Sequence, residues 1–79
     1  MNNDILDKLQ ELILFQPVTP DLQEKTARLL KNELGGDNWK VEFSLDRDGR
    51  TLLYALMTNT ENNQICINMQ ITTEPVKNS

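Results

Sequence analysis

Seventy-nine residues, 38% hydrophobic and 25% charged, make one small domain with room for a single core, and argue against disorder through the middle of the chain. Twelve acidic residues against eight basic ones, a net charge of -4, oppose binding to phosphate backbones and favour solubility. With no histidine and one cysteine, the chain excludes a Ser-His or Cys-His nucleophile pair, a histidine metal site and an internal disulfide.

No apolar run approaches the roughly 20 residues of a membrane span, and no basic segment followed by an apolar one opens the sequence. A soluble, untargeted protein of a reducing cytoplasm is the expectation. One domain is expected over residues 1–79, with frayed ends at about 1–3 and 74–79.

The first predicted element is a helix. Ile5, Leu6, Leu9, Leu12 and Ile13 recur at spacings of three and four, with Asp7, Lys8, Gln10 and Glu11 on the opposite side. Asn3 or Asp4 can cap its start, and Pro17 is expected to end it at about Phe15, because a residue before proline is driven out of the helical region.

The second helix is punctuated at both ends and is predicted from Pro20 to Leu34. Thr19 is suited to the N-cap, Pro20 to the first helical position, and Gly35 or Gly36 to the left-handed turn that closes the C-terminus. Leu22, Ala27, Leu29, Leu30 and Leu34 form its apolar stripe, and Lys25, Arg28 and Lys31 point away. The short link between the two makes them a helical hairpin.

After the glycines the period falls to two. Trp39, Val41, Phe43 and Leu45 alternate with Lys40, Glu42, Ser44 and Asp46, and later Ile65, Ile67, Met69 and Ile71 alternate with Cys66, Asn68, Gln70 and Thr72. Between these strands lie the turn signal Asp48-Gly49, the run Thr51 to Thr58 and a polar loop in which Thr60 to Asn63 would make a four-residue connection. The predicted fold is α+β in the order ααβββ: an N-terminal helical hairpin packed on one face of a three-stranded antiparallel meander. No internal repeat is visible.

The middle strand is apolar on both faces. A two-residue turn at Asp48-Gly49 would set Leu45 opposite Leu52 and send Leu52, Tyr54 and Leu56 inside. A type I turn over Arg47, Asp48 and Gly49 with a glycine bulge would instead send Leu53, Ala55 and Met57 inside. The first register buries more apolar bulk and is preferred. It leaves Leu53, Ala55 and Met57 on an open sheet face, flanked by Lys40 and Glu42 on one side and by Cys66 and Asn68 on the other. Such a rimmed apolar strip has the composition of a partner-binding surface. Strand propensity alone also places leucine or methionine on a wet face, and that plainer reading stands beside it.

Chemistry finds little support. Cys66 lacks a histidine partner and has only Lys40 as a cationic neighbour, so a structural thiol is expected. The stretch Asp46-Arg47-Asp48-Gly49 resembles the start of a calcium loop, but its glycine comes too early and Met57 stands where a closing glutamate is required. Asn38, Tyr54, Cys66 and Asn68 are the loose candidates for a ligand pocket. The basic residues of the second helix are interrupted by Glu24 and Glu33, and the aromatics are too few for a base-stacking platform.

The sequence thus predicts no enzyme, no cofactor, no metal, no nucleic-acid partner and no membrane. It predicts a protein-binding module or small accessory protein that pairs with itself as a homodimer, or with another protein, through its open sheet face or a sheet edge. The competing reading is a ligand-binding or accessory subunit of an enzyme complex.

Overall fold

The computed structural model describes residues 3–73, so the ends expected to fray lie almost wholly outside the described residues. Two helices, α1 (Asn3–Ile13) and α2 (Pro20–Leu34), precede three strands, β1 (Lys40–Leu45), β2 (Thr51–Thr58) and β3 (Gln64–Thr72). The strands form one antiparallel sheet in the order β1-β2-β3, and the helices cover one face of it. The architecture is the α+β arrangement ααβββ.

The second helix begins and ends at its predicted residues for the predicted reasons. Thr19 is extended, and its hydroxyl oxygen accepts from the Leu22 amide at 3.2 Å. Pro20 occupies the first turn, and the Gly35 amide donates to the Lys31 carbonyl from a backbone with φ of 77°. The buried stripe differs at two positions. Thr26 is fully buried, its hydroxyl donating to the Leu22 carbonyl at 2.8 Å, whereas Leu34 at the last turn is exposed.

Helix α1 ends at Ile13, earlier than Pro17 would dictate. Phe15 takes a left-handed conformation with φ of 61°, and its amide donates to the Thr72 carbonyl of β3 at 2.9 Å. A tertiary hydrogen bond therefore turns the chain away from the helix two residues before the proline. Ile5, Leu9 and Ile13 reach the core as expected, but Leu14 and Phe15 remain exposed.

Three rows of side chains cross the helix-facing side of the sheet: Val41, Met57 and Ile65; Phe43, Ala55 and Ile67; Leu45, Leu52 and Ile71. Against them pack Ile5, Leu9, Ile13 and Leu30 from the helices. Trp39 lies just before β1 and caps this layer, its indole N–H donating to the Gly35 carbonyl at 2.8 Å.

The middle strand follows neither predicted register throughout. Leu45 opposes Leu52, as a two-residue turn would require, but Ser44 opposes Tyr54, so Leu53 is an extra residue between them. The same place is irregular toward β3, where Leu52 opposes Ile71 and Tyr54 opposes Asn68. This bulge flips the alternation. Leu52 is buried on the near side of it, and Ala55 and Met57 are buried on the far side, both fully.

Two loops impose this break. Near Leu45, Asp46 closes the hairpin: the Gly49 amide donates to its carbonyl at 2.9 Å, and its carboxylate accepts from the amides of Asp48 and Arg50. At the other end the connection spans five residues rather than four. Asn59 organises it, its side-chain oxygen accepting from the amides of Glu61 and Asn63, and Thr58 opposes Gln64. The two ends demand opposite parities, and one unpaired residue reconciles them. The bulge also keeps the Tyr54 hydroxyl in water, where it needs no buried partner.

Candidate functional site

The face of the sheet away from the helices is built from the residues that alternate with the core rows. Across it run Lys40, Thr58 and Gln64, then Glu42, Leu56 and Cys66, then Ser44, Tyr54 and Asn68. Leu53 adds to the strip at the bulge, 40% exposed, beside Tyr54 at 47%. Leu56 is half-buried between Glu42 and Cys66. The result is an apolar strip along β2, bordered by Lys40, Glu42 and Ser44 on one side and by Gln64, Cys66 and Asn68 on the other.

This arrangement retains five of the seven residues assigned to the surface from the sequence and corrects two. Lys40, Glu42, Leu53, Cys66 and Asn68 are exposed. Ala55 and Met57 are not available to any partner, because the bulge turns them toward the helices. Tyr54 and Leu56 stand in their place. No glycine or proline at Leu53 marks the bulge, and its location follows only from the two hairpin ends together.

The four residues proposed for a ligand pocket do not converge. Tyr54, Cys66 and Asn68 lie on the open face, whereas Asn38 lines a depression against α2 with Arg28, Lys31 and Trp39. A second depression of about 450 Å³ lies between the helices, lined by Lys8, Leu12, Lys25, Arg28 and Leu29 among others. Its cations are matched within the chain: Lys8 to Glu33 at 2.6 Å, Lys25 to Asp21 at 3.1 Å and Arg28 to Glu24 at 3.1 Å. The hydrogen bond to Glu33 holds the Lys8 ammonium above its ordinary pKa. These exposed pairs add little to stability but leave the groove without an unmatched positive charge.

The calcium-like turn serves the hairpin. Its leading carboxylate, Asp46, accepts backbone amides, and the Arg50 amide in first place, with those of Thr51 and Asp48, holds its pKa below the ordinary value. Among the described residues, no three acidic or thiol side chains gather as a metal set.

The loop before β1 and the loop after β2 dock on each other. Asn59 is buried, and its side-chain nitrogen lies against Gly36 and has no hydrogen-bond partner among the described residues. The Thr60 amide and hydroxyl both approach the Asp37 carbonyl at 3.4 Å. A side chain at Gly36 would meet the Asn59 nitrogen at 2.4 Å, so the glycine is required for this contact. No helix among the described residues is long and apolar enough to cross a membrane. In comparisons with known proteins, the chain matches no family model, no curated protein and no solved structure.

Proposed function

We propose that this protein is a non-enzymatic interaction module, a small accessory protein of the cytoplasm that binds another protein on its open sheet face. The observation that carries the reading is the strip of Leu53, Tyr54 and Leu56, which lies on the side of the sheet without helices and is ringed by Lys40, Glu42, Cys66 and Asn68. An aromatic residue and two leucines inside a polar border have the anatomy of an interface centre and rim. Tyr54 suits the centre, because its ring offers contact area at low conformational cost and its hydroxyl a hydrogen bond.

Non-enzymatic action is supported by chemistry the chain lacks and by the placing of what it has. Its sequence has no histidine, and its one thiol, Cys66, sits exposed on the rim, with Glu42 two strands away in the same row. Neither feature activates a nucleophile. A free, exposed thiol also suits a reducing compartment.

The test is affinity capture from the native cell with the wild-type chain and with Leu56→Lys and Tyr54→Lys. Both variants are expected to stay folded, melting within a few degrees of the wild type, and to lose the captured protein, since an unpaired charge is costly to desolvate at an interface. Capture unchanged by both substitutions in folded protein would refute the reading.

A further inference from the structure

We infer that β3 is a self-pairing edge, and that two copies of this chain join antiparallel along residues 64–68 to turn two three-stranded sheets into one of six strands. The inference rests on the reading of the sheet as a protein-binding element and adds to it a partner, a second copy, and a register.

The strand order leaves β1 and β3 as edges, and the two are not equivalent. Strand β1 is guarded: the Gln23 side chain of α2 donates to the Val41 carbonyl at 3.3 Å, and Lys40 and Glu42 place charge along the strand. Strand β3 runs from Gln64 to Thr72 without one charged residue, and no strand among the described residues pairs with its outer side.

Which of its backbone groups face outward follows from the ladder. Residues of an antiparallel strand alternately face their partner and face away. The Asp46 amide donates to the Thr51 carbonyl while the Val41 carbonyl turns to Gln23, so Lys40, Glu42 and Ser44 face β2. Ala55 and Met57 therefore face β3, where their partners Ile67 and Ile65 face back. The amides and carbonyls of Gln64, Cys66 and Asn68 are left directed at the free edge. Farther along, the Phe15 amide donates to the Thr72 carbonyl, so the chain after α1 seals that end of the edge and leaves residues 64–68 open.

The open segment is close to a palindrome: Gln64, Ile65, Cys66, Ile67, Asn68. A two-fold axis at Cys66 sets Gln64 against the partner's Asn68 and Ile65 against the partner's Ile67. Carboxamide then meets carboxamide on the open face, and isoleucine meets isoleucine on the helix-covered face. The three outward residues exchange about six backbone hydrogen bonds across the axis, two for each opposed pair. No like charges meet, although the chain carries a net charge of -4. The pairing also joins the two open faces, so each Leu53, Tyr54 and Leu56 strip becomes half of a continuous surface.

Sedimentation equilibrium and backbone amide exchange on the full chain at submillimolar concentration test this. The wild type is expected to be a dimer in which the amides of Gln64, Cys66 and Asn68 are protected; in a monomer they have no partner among the described residues and are expected to exchange freely. Asn68→Pro removes an amide that faces only the edge, where proline is tolerated. Cys66→Lys sets like charges opposite each other at the axis, on a side chain that is exposed. Both variants are expected to be monomers with the circular dichroism of the wild type, and if Asn68→Pro fails to fold, Cys66→Lys alone decides. A monomeric wild type with freely exchanging edge amides would overturn the inference, as would a dimer that survives Cys66→Lys. A dimer broken by Leu56→Lys but not by Cys66→Lys would move self-association to the open face, overturning the edge pairing alone. Capture of another protein that is lost in Leu56→Lys while the dimer persists would separate the two surfaces.

Discussion

Truncating neighbouring residues of β2 should have opposite consequences, and the bulge at Leu53 decides which is which. Met57 is fully buried between Val41 and Ile65 beneath the helices, so Met57→Ala removes a core side chain and leaves a cavity. Such a change costs about 2–5 kcal/mol. Leu56 is half-buried on the open face, where no second layer of the described residues packs on it, and Leu56→Ala loses cross-strand contacts with Glu42 and Cys66, about 0.2–1 kcal/mol. For a domain of this size the total stability is on the order of 4–12 kcal/mol, so the first variant loses a large fraction of it. At about 4–8 °C per kcal/mol, Met57→Ala should lower the melting temperature by at least about 8 °C and Leu56→Ala by a few degrees. Urea titration with far-UV circular dichroism measures both at one temperature. If Leu56→Ala is the more damaging of the two, the faces of the far half of β2 are exchanged and the bulge is misplaced.

Four further substitutions address the joints of the fold. Thr19→Ala deletes the N-cap of α2 and should cost about 1 kcal/mol in urea titration, so an unchanged midpoint would contradict the capping bond. Gly36→Ala meets both a left-handed backbone, φ 89°, and the Asn59 side chain, whereas Gly49→Ala at φ 74° meets open space. The first should therefore destabilise by more than the second, whose cost is the conformational one of about 1–2 kcal/mol. Because the folded-state pKa of Asp46 lies below its ordinary value, its contribution to stability is present above the unfolded-state pKa and is lost as pH falls through the folded one. Asp46→Ala should accordingly lower stability at neutral pH and flatten its dependence on pH in the acid range below about 4, measured as urea midpoints across that range; an unaltered slope would remove Asp46 from the turn.

What could be read from the sequence was whatever local chemistry determines. Thr19, Pro20 and Gly35 carry the limits of α2 in their own side chains or lack of one, and strict alternation through Val41, Phe43 and Leu45 marks the inner face of β1. Helix α1 escapes such reading at its end, since its stop depends on Phe15 finding the Thr72 carbonyl, a partner distant in the chain. Trp39 is buried as the alternation requires, but it precedes β1, its indole N–H donating to the Gly35 carbonyl only four residues back. The candidate face was legible as a consequence of topology: a strand apolar on both sides, with helices enough to cover one. Its membership was not, because Asp46 and Asn59 each fix a register locally and only their incompatibility creates the bulge. Ala55 and Met57 were thereby assigned outward and lie inward, while Tyr54 and Leu56 were assigned inward and form the surface.

Site-specific photocrosslinking in the native cell tests the interaction surface most directly. A photoreactive phenylalanine analogue at Tyr54 should form a discrete covalent adduct with another protein that Leu56→Lys abolishes, whereas the same analogue at Arg28, on the exposed side of α2, should form none. Absence of an adduct from Tyr54, or an equal yield of the same adduct from Arg28, would contradict the assignment of the open sheet face as the binding surface.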